Sequence, residues 1–167
     1  YCHISPKKMK EARAMLVNPG DYRRPGNPEE IKEKLSKEQY HVTQENGTEP
    51  PFKNAYWDHF EKGIYVDVVT GEPLFSSYDK FNSSCGWPAF SQPIEELSMV
   101  QKRDRSFGMV RTEVRSRAGN SHLGHVFRGE MESPNGVRYC INSAALRFVP
   151  FDKMEEEGYG YLKGIFK

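Results

Sequence analysis

Two cysteines stand in settings that suit redox or nucleophilic chemistry. Cys140 lies in Arg138-Tyr139-Cys140-Ile141-Asn142-Ser143. Side chains alternate in direction along a strand, so Arg138, Cys140 and Asn142 share one face. A neighbouring guanidinium favours the thiolate, which is the nucleophilic form of cysteine. Asn142 adds a neutral hydrogen-bonding group. The same pattern is also compatible with a buried structural cysteine beside a solvated arginine. Cys85 lies in Ser84-Cys85-Gly86-Trp87-Pro88-Ala89-Phe90, where glycine and proline bend the chain into a loop. A loop cysteine can move, and an exposed Trp87 beside it offers an apolar wall for a methyl or thioether group. The alternative is Trp87 as a core anchor with Cys85 buried against it.

His122 and His125, in His122-Leu123-Gly124-His125, have a spacing that suits a general acid with a helper or a pair of metal ligands. One packed histidine and one exposed histidine would fit equally well. Structural zinc usually takes paired Cys-x-x-Cys knuckles, and the sequence has none. A mixed site of Cys85, Cys140, His122 and His125 stays open if the fold gathers them. Three cysteines are too few and too scattered for a disulfide framework, and the odd count leaves a thiol free. Cys2 reads as incidental to the domain.

The elements that must position these residues can be read in outline. A length of 167 residues suits one domain with a tail or linker, and such a chain can bury a core without staples. With 37% hydrophobic and 28% charged residues, the composition is that of a soluble globular protein. A net charge of +1 gives no field to recruit nucleic acid or a membrane surface. No apolar run reaches the length of a membrane-spanning helix. The opening at Tyr1 leads us to expect a piece of a longer protein. Residues 1–26 read as a leader or linker, with a short helix over residues 7–16 capped by Ser5 and broken by Asn18-Pro19-Gly20-Asp21. Asn27 predicts the cap of a second helix, with Pro28 at its first position and Glu30 in a capping-box-like pattern. This helix should run to about Gln39, with Ile31 and Leu35 on one face.

From His41 onward the pattern becomes short strands and turns. Ile64 to Val69 predicts a strand, followed by a turn at Thr70-Gly71-Glu72-Pro73. Between Met109 and Arg117, Val110, Thr112 and Val114 alternate with Arg111, Glu113 and Arg115, which predicts a half-buried strand. Residues 121–128, 136–141 and 144–149 supply three more, with a hairpin turn at Ser133-Pro134-Asn135-Gly136. The domain should occupy residues 27–152, and residues 153–167 read as a tail on the surface. The expected architecture is a small antiparallel β domain with helices on its N-terminal side.

Taken in order, these segments resemble the B-type methionine sulfoxide reductases. The matching pieces span most of residues 28–149. They are Tyr40-His41-Val42-Thr43-Gln44, Gly47-Thr48-Glu49-Pro50-Pro51-Phe52, Pro73-Leu74-Phe75, Cys85-Gly86-Trp87-Pro88-Ala89-Phe90, His122-Leu123-Gly124-His125-Val126-Phe127 and the run from Arg138 to Phe148. The resemblance implies a mainly β fold of two small antiparallel sheets with N-terminal helices. It implies reduction of the R epimer of methionine sulfoxide, free or in proteins. By position, Cys140 matches the catalytic cysteine and Cys85 the resolving cysteine. Trp87, together with Phe127, matches the substrate-binding wall. His122, His125 and Asn142 match the polar groups around the sulfoxide oxygen, and Arg138 stands beside the nucleophile. The proton donor is left open between the two histidines.

The resemblance further implies a monomer without cofactor that takes electrons from thioredoxin or a similar dithiol. Many members carry two Cys-x-x-Cys pairs for structural zinc. Here those positions read Asp67, Thr70, Ser116 and Gly119, which resembles the zinc-free branch. Tyr1-Cys2-His3-Ile4 is similar to the end of an A-type reductase, so an A–B fusion is expected. A cytoplasmic location is expected, with the cell envelope or secretion as the alternative. Two other function classes compete: acyl transfer by a Cys-His-Asn set, and a non-catalytic metal-binding β module.

Overall fold

The computed structural model describes residues 22–166; Cys2 and the helix expected over residues 7–16 lie outside them. The helix expected from Asn27 to about Gln39 is two helices. Helix α1 (Pro28–Lys34) is capped as expected, with Asn27 Oδ1 accepting the Glu29 N–H at 3.0 Å. It stops because Leu35 turns extended, at φ −100° and ψ 150°. Ser36 then caps α2 (Lys37–Gln44) in a full capping box with Gln39. The reciprocal pair satisfies two backbone donors and starts a new helix rather than ending the old one.

Among the described residues nine strands follow, arranged in two antiparallel sheets. The smaller sheet has the order β2-β1-β9, with β1 (Gly63–Asp67) between β2 (Pro73–Ser76) and β9 (Leu146–Pro150). The larger has the order β3-β4-β8-β7-β6-β5. Its strands are β3 (Lys80–Phe81), β4 (Ala89–Phe90), β5 (Met99–Asp104), β6 (Arg111–Ser116), β7 (His122–Arg128) and β8 (Val137–Ile141). Mainly β architecture with two antiparallel sheets is therefore what the residues form. The two sheets meet through aromatic rings. Phe75 of β2 stacks on Phe90 of β4 at 4.3 Å, and Tyr65 of β1 meets Phe90 edge-on at 5.2 Å. Val42 of α2, Leu123, Ile141 and Leu146 complete this core.

The smaller sheet is covered on both faces, so every residue of β1 is buried. Tyr65 points into the main core. Its neighbours Ile64 and Val66 point into a second cluster with Met154, Tyr159, Leu162 and Ile165. The segment expected to lie on the surface is thus a wall of the core. Its acidic composition misled, because the apolar residues at 154, 159, 162 and 165 are widely spaced among charges and glycines. Tyr159 Oη also donates to Gly71 O at 2.6 Å, tying the segment to the β1–β2 turn.

The positions that would carry zinc thiolates gather at that same corner. A Cβ on Gly119 would lie 2.7 Å from Asp67 Oδ2 and 3.1 Å from Ser116 Oγ. Asp67 Oδ1 accepts the Val69 N–H at 2.7 Å, Thr70 Oγ1 the Glu72 N–H at 3.1 Å, and Ser116 Oγ the Ser121 N–H at 3.1 Å. Hard oxygen atoms already engaged with backbone donors, beside a glycine without a side chain, do not fit a tetrathiolate zinc site. Polar contacts join the two turns instead. Glu72 is fully buried nearby, and neither of its carboxyl oxygens receives a hydrogen bond of normal geometry. Burial, and then the charge of Asp67, push Glu72 up to about 7. Burial also raises Asp67.

Two predictions follow from this packing. An acid with a raised pKa binds its proton more tightly when folded, so its contribution is complete below pH 4.5 and is lost as pH rises through about 7. The thermal midpoint should fall across that window, and Glu72→Gln should flatten the fall. An unchanged pH profile in the variant would refute the assignment. Leu162→Ala should cost about 2–4 kcal/mol in denaturant unfolding, the usual range for emptying a buried leucine site. A loss below about 0.5 kcal/mol, typical of surface positions, would show that the C-terminal segment does not hold the fold.

Candidate active site

The larger sheet sets the site by register. Cys140 on β8 pairs with His125 on β7 and, on its other side, with Ala89 on β4. Arg138 pairs with Phe127 in the same ladder. The close β7–β8 approach requires Gly124, where a Cβ would fall 2.0 Å from the Cys140 carbonyl oxygen. A cavity of about 240 Å³ opens over this part of the sheet. Cys85, Trp87, His125 and Phe127 line it, together with Arg138, Cys140 and Asn142. Every expected site residue except His122 therefore reaches one pocket. Thr48 and Arg111 line it as well. Sequence reasoning assigned neither, although Thr48 sits inside a matching motif.

The Cys85 loop is held in a bent path, with Ser84 at φ 54° and Gly86 at φ 89°. It brings Cys85 Sγ to 3.4 Å from Cys140 Sγ. Ser83 Oγ donates to Cys85 Sγ at 2.9 Å. Hydrogen bonding from Cys140, helped by the Ser83 contact, outweighs the opposing effect of burial and brings Cys85 down to about 5. The same contact, followed by burial, raises Cys140 well above the usual thiol range. Two thiols this close lose their first proton as a pair, with Cys85 as the anionic member while they touch. Arg138 pulls Cys140 toward the thiolate, as its sequence position suggested, but the Cys85 contact outweighs it. Its guanidinium is engaged with Glu130 Oε1 at 3.0 and 2.5 Å, and lies 4.5 Å over the Phe127 ring.

The two histidines now separate. His122 is 3% exposed. Its Nδ1 lies 2.6 Å from Glu113 Oε2, a carboxylate that also accepts from Arg115 Nη1 at 2.8 Å. Burial lowers the pKa of His122. His125 lines the cavity, and its Nε2 lies 2.8 Å from Asp104 Oδ2. The backbone N–H of Ser106, and then His125, hold Asp104 below the usual carboxylate range. Each ring is thus oriented by a carboxylate from the next strands out. Neither Glu113 nor Asp104 was singled out from the sequence, because only the β5–β6–β7 pairing brings them to the imidazoles.

Asn142 reaches the pocket, but its amide is largely engaged with the backbone. Nδ2 donates to Leu123 O at 3.1 Å, and Oδ1 accepts the Glu49 N–H at 3.1 Å. It therefore does not orient a histidine, as a Cys-His-Asn acyl-transfer set would require. Trp87 is fixed by its indole N–H, which donates to Glu49 O at 2.9 Å. Glu49 is itself buried, and its carboxylate accepts the backbone N–H groups of Ser143 and Ala144. Burial pushes its pKa up to about 6 despite those bonds. Among the described residues, no group of three His, Cys, Asp or Glu side chains gathers to hold a metal ion. No described helix is long and apolar enough to cross a membrane.

The pocket over the larger sheet thus holds two thiols in contact beside the rings of Trp87 and Phe127. The SelR domain, the methionine-R-sulfoxide reductase B domain, matches residues 35–150. The chain belongs to this family of oxidoreductases, which act on methionine-R-sulfoxide.

Proposed function

We propose that the protein reduces methionine-R-sulfoxide, free or within polypeptides, with Cys140 as nucleophile and Cys85 as the resolving thiol. The observation that carries this reading is the 3.4 Å separation of the two sulfurs inside the substrate-sized cavity. The wall formed by Trp87 and Phe127 suits the methyl and thioether carbons of the substrate. Cys140 is masked while it touches Cys85. A sulfoxide that enters between them removes the largest cause of its raised pKa, so that the pull of Arg138 works against burial alone.

Cys140 passes its proton to the Cys85 thiolate, the Cys140 thiolate attacks the electrophilic sulfur, and the sulfoxide oxygen takes a proton from His125. The hydroxyl then moves from the substrate sulfur to Cys140, breaking the S–O bond and the new sulfur–sulfur bond together, so methionine leaves and Cys140 becomes a sulfenic acid. Methionine sulfur gains two electrons, and Cys140 sulfur loses two. Cys85 next attacks Cys140, forming the S–S bond, and the displaced hydroxide takes the Cys85 proton and leaves as water. An external dithiol of the thioredoxin kind supplies two electrons and two protons through thiol exchange. The cytoplasm is a compartment that maintains such a reductant. The likeness of residues 1–4 to an A-type terminus supports a partner domain for the S epimer in the same polypeptide.

Stereospecific assays test this directly. Cys140→Ser should abolish reduction of the R sulfoxide, and activity near wild type would sink the nucleophile assignment. Cys85→Ser should release one methionine per enzyme and then stall with thioredoxin; sustained turnover would remove Cys85 as resolver. For the proton donor, His125→Gln should slow single-turnover methionine formation by about 100-fold, within the usual range for general acid catalysis. His122→Gln should act mainly on stability. The opposite ranking would transfer the role to His122.

A further inference from the structure

The hairpin joining β5 to β6 ends in an apolar tip that the core does not use. Phe107 is 88% exposed, Val110 72% and Met109 47%. Phe107 is also held at φ 55°, with Gly108 at φ 70° beside it. Positive φ is strained for a bulky residue, and here the strained residue presents its ring to solvent. The strand bases are cationic. Lys102 and Arg105 are exposed, Lys102 in the ladder row of Glu113, His125 and Cys140, and Arg111 reaches the cavity. The acids among them are already committed: Asp104 to His125 and Arg111, Glu113 to His122 and Arg115. The tip is continuous with the site, because Asp104 and Arg111 form the cross-strand pair at its foot. The segment between α2 and β1 carries a second exposed ring, bonded to the Cys85 loop. Phe52 is 51% exposed, and its N–H donates to Gly86 O at 2.8 Å.

We propose that this apolar, basic hairpin tip docks the polypeptide flanking an oxidised methionine, and favours segments with acidic residues a few positions from the sulfoxide. The inference rests on the reductase reading above and names the part of the substrate that this site would recognise. The tip lies two strand spacings across from Cys140 and a few residues along, on the order of 14 Å. An extended chain covers that span in about four residues. A free amino acid cannot reach it.

The test uses three substrates with dithiothreitol as reductant. They are N-acetyl-methionine-R-sulfoxide methylamide, a nine-residue peptide with central methionine-R-sulfoxide and glutamates at both fourth positions, and the same peptide with serines there. The variants are Phe107→Ser/Val110→Ser and Lys102→Glu/Arg105→Glu, all at exposed positions outside the cavity wall. The apolar pair should lower kcat/KM for both peptides by about fivefold, as expected for lost apolar contact, and leave the blocked amino acid within about twofold. The charge reversal should abolish the preference for the acidic peptide. Equal losses on the blocked amino acid, or no loss on either peptide, would overturn the proposal. So would a loss that emerges only when thioredoxin replaces dithiothreitol, since the tip would then serve the reductant. If the wild-type protein leaves the blocked sulfoxide untouched, the reductase reading fails and this inference fails with it. Intact reduction of the blocked sulfoxide with tip-insensitive peptides removes this inference alone.

Discussion

The buried carboxylate of Glu49 ties together the segments that form the site. Its two oxygens receive the N–H groups of Ser143 and Ala144, just beyond the end of β8. Its carbonyl receives the indole of Trp87, and its own N–H reaches Asn142. One residue thereby joins the loop after α2, the loop carrying Cys85 and the chain leaving Cys140. Glu49 accepts a large desolvation cost in this position, visible in its elevated pKa of about 6. The bonds matter because the Cys85 loop has little regular structure of its own. Its other ties include Gly86 O, which receives the Phe52 N–H and the Asn54 side chain. The sulfur–sulfur approach depends on this node.

Across the sheet the arrangement is graded. The thiols lie toward β4 and β8, the imidazoles on β7, and the orienting carboxylates on β6 and β5. Antiparallel register makes this layering reproducible, since each ladder step fixes which side chains stand opposite. His125 faces Cys140 in the ladder because Gly124 lets the two strands close up. The outer hairpin consequently has two duties. Its base orients the pocket-facing histidine, and its tip leaves apolar and cationic side chains in solvent beside the cavity.

Stability is distributed away from the chemistry. The smaller sheet is sandwiched between the main core and the C-terminal segment, which supplies four buried apolar residues at 154, 159, 162 and 165. The corner of Asp67, Thr70, Ser116 and Gly119 is held by backbone-directed oxygens and by the close approach that Gly119 permits. Lys34 and Arg24 also reach in, to Val69 O at 2.8 Å and Gly119 O at 2.7 Å. The corner therefore responds to protons through Glu72 and Asp67, whereas the pocket responds through its thiol pair.

Local pattern determined a good part of this protein. Alternation marked β6, a serine-proline-asparagine-glycine turn marked the β7–β8 hairpin, and Asn27 marked the start of α1, because each is written in neighbouring residues. The motifs around Cys85, His125 and Cys140 also identified the family and most of the pocket. The Ser36–Gln39 capping box was present in the sequence but hidden inside a longer helical pattern. β5 escaped notice because it is an edge strand, largely exposed and charged, with no alternation to read. β2 was hidden beside a turn signal. Other features were decided only by tertiary structure, because they depend on residues far apart in the chain. The burial of the tail, the Glu49 node, and the pairing of Asp104 with His125 and Glu113 with His122 are of this kind. So is the proton order of the thiols. The sequence placed Arg138 beside Cys140, but the fold brought Cys85 Sγ to 3.4 Å, and that contact outweighs the arginine.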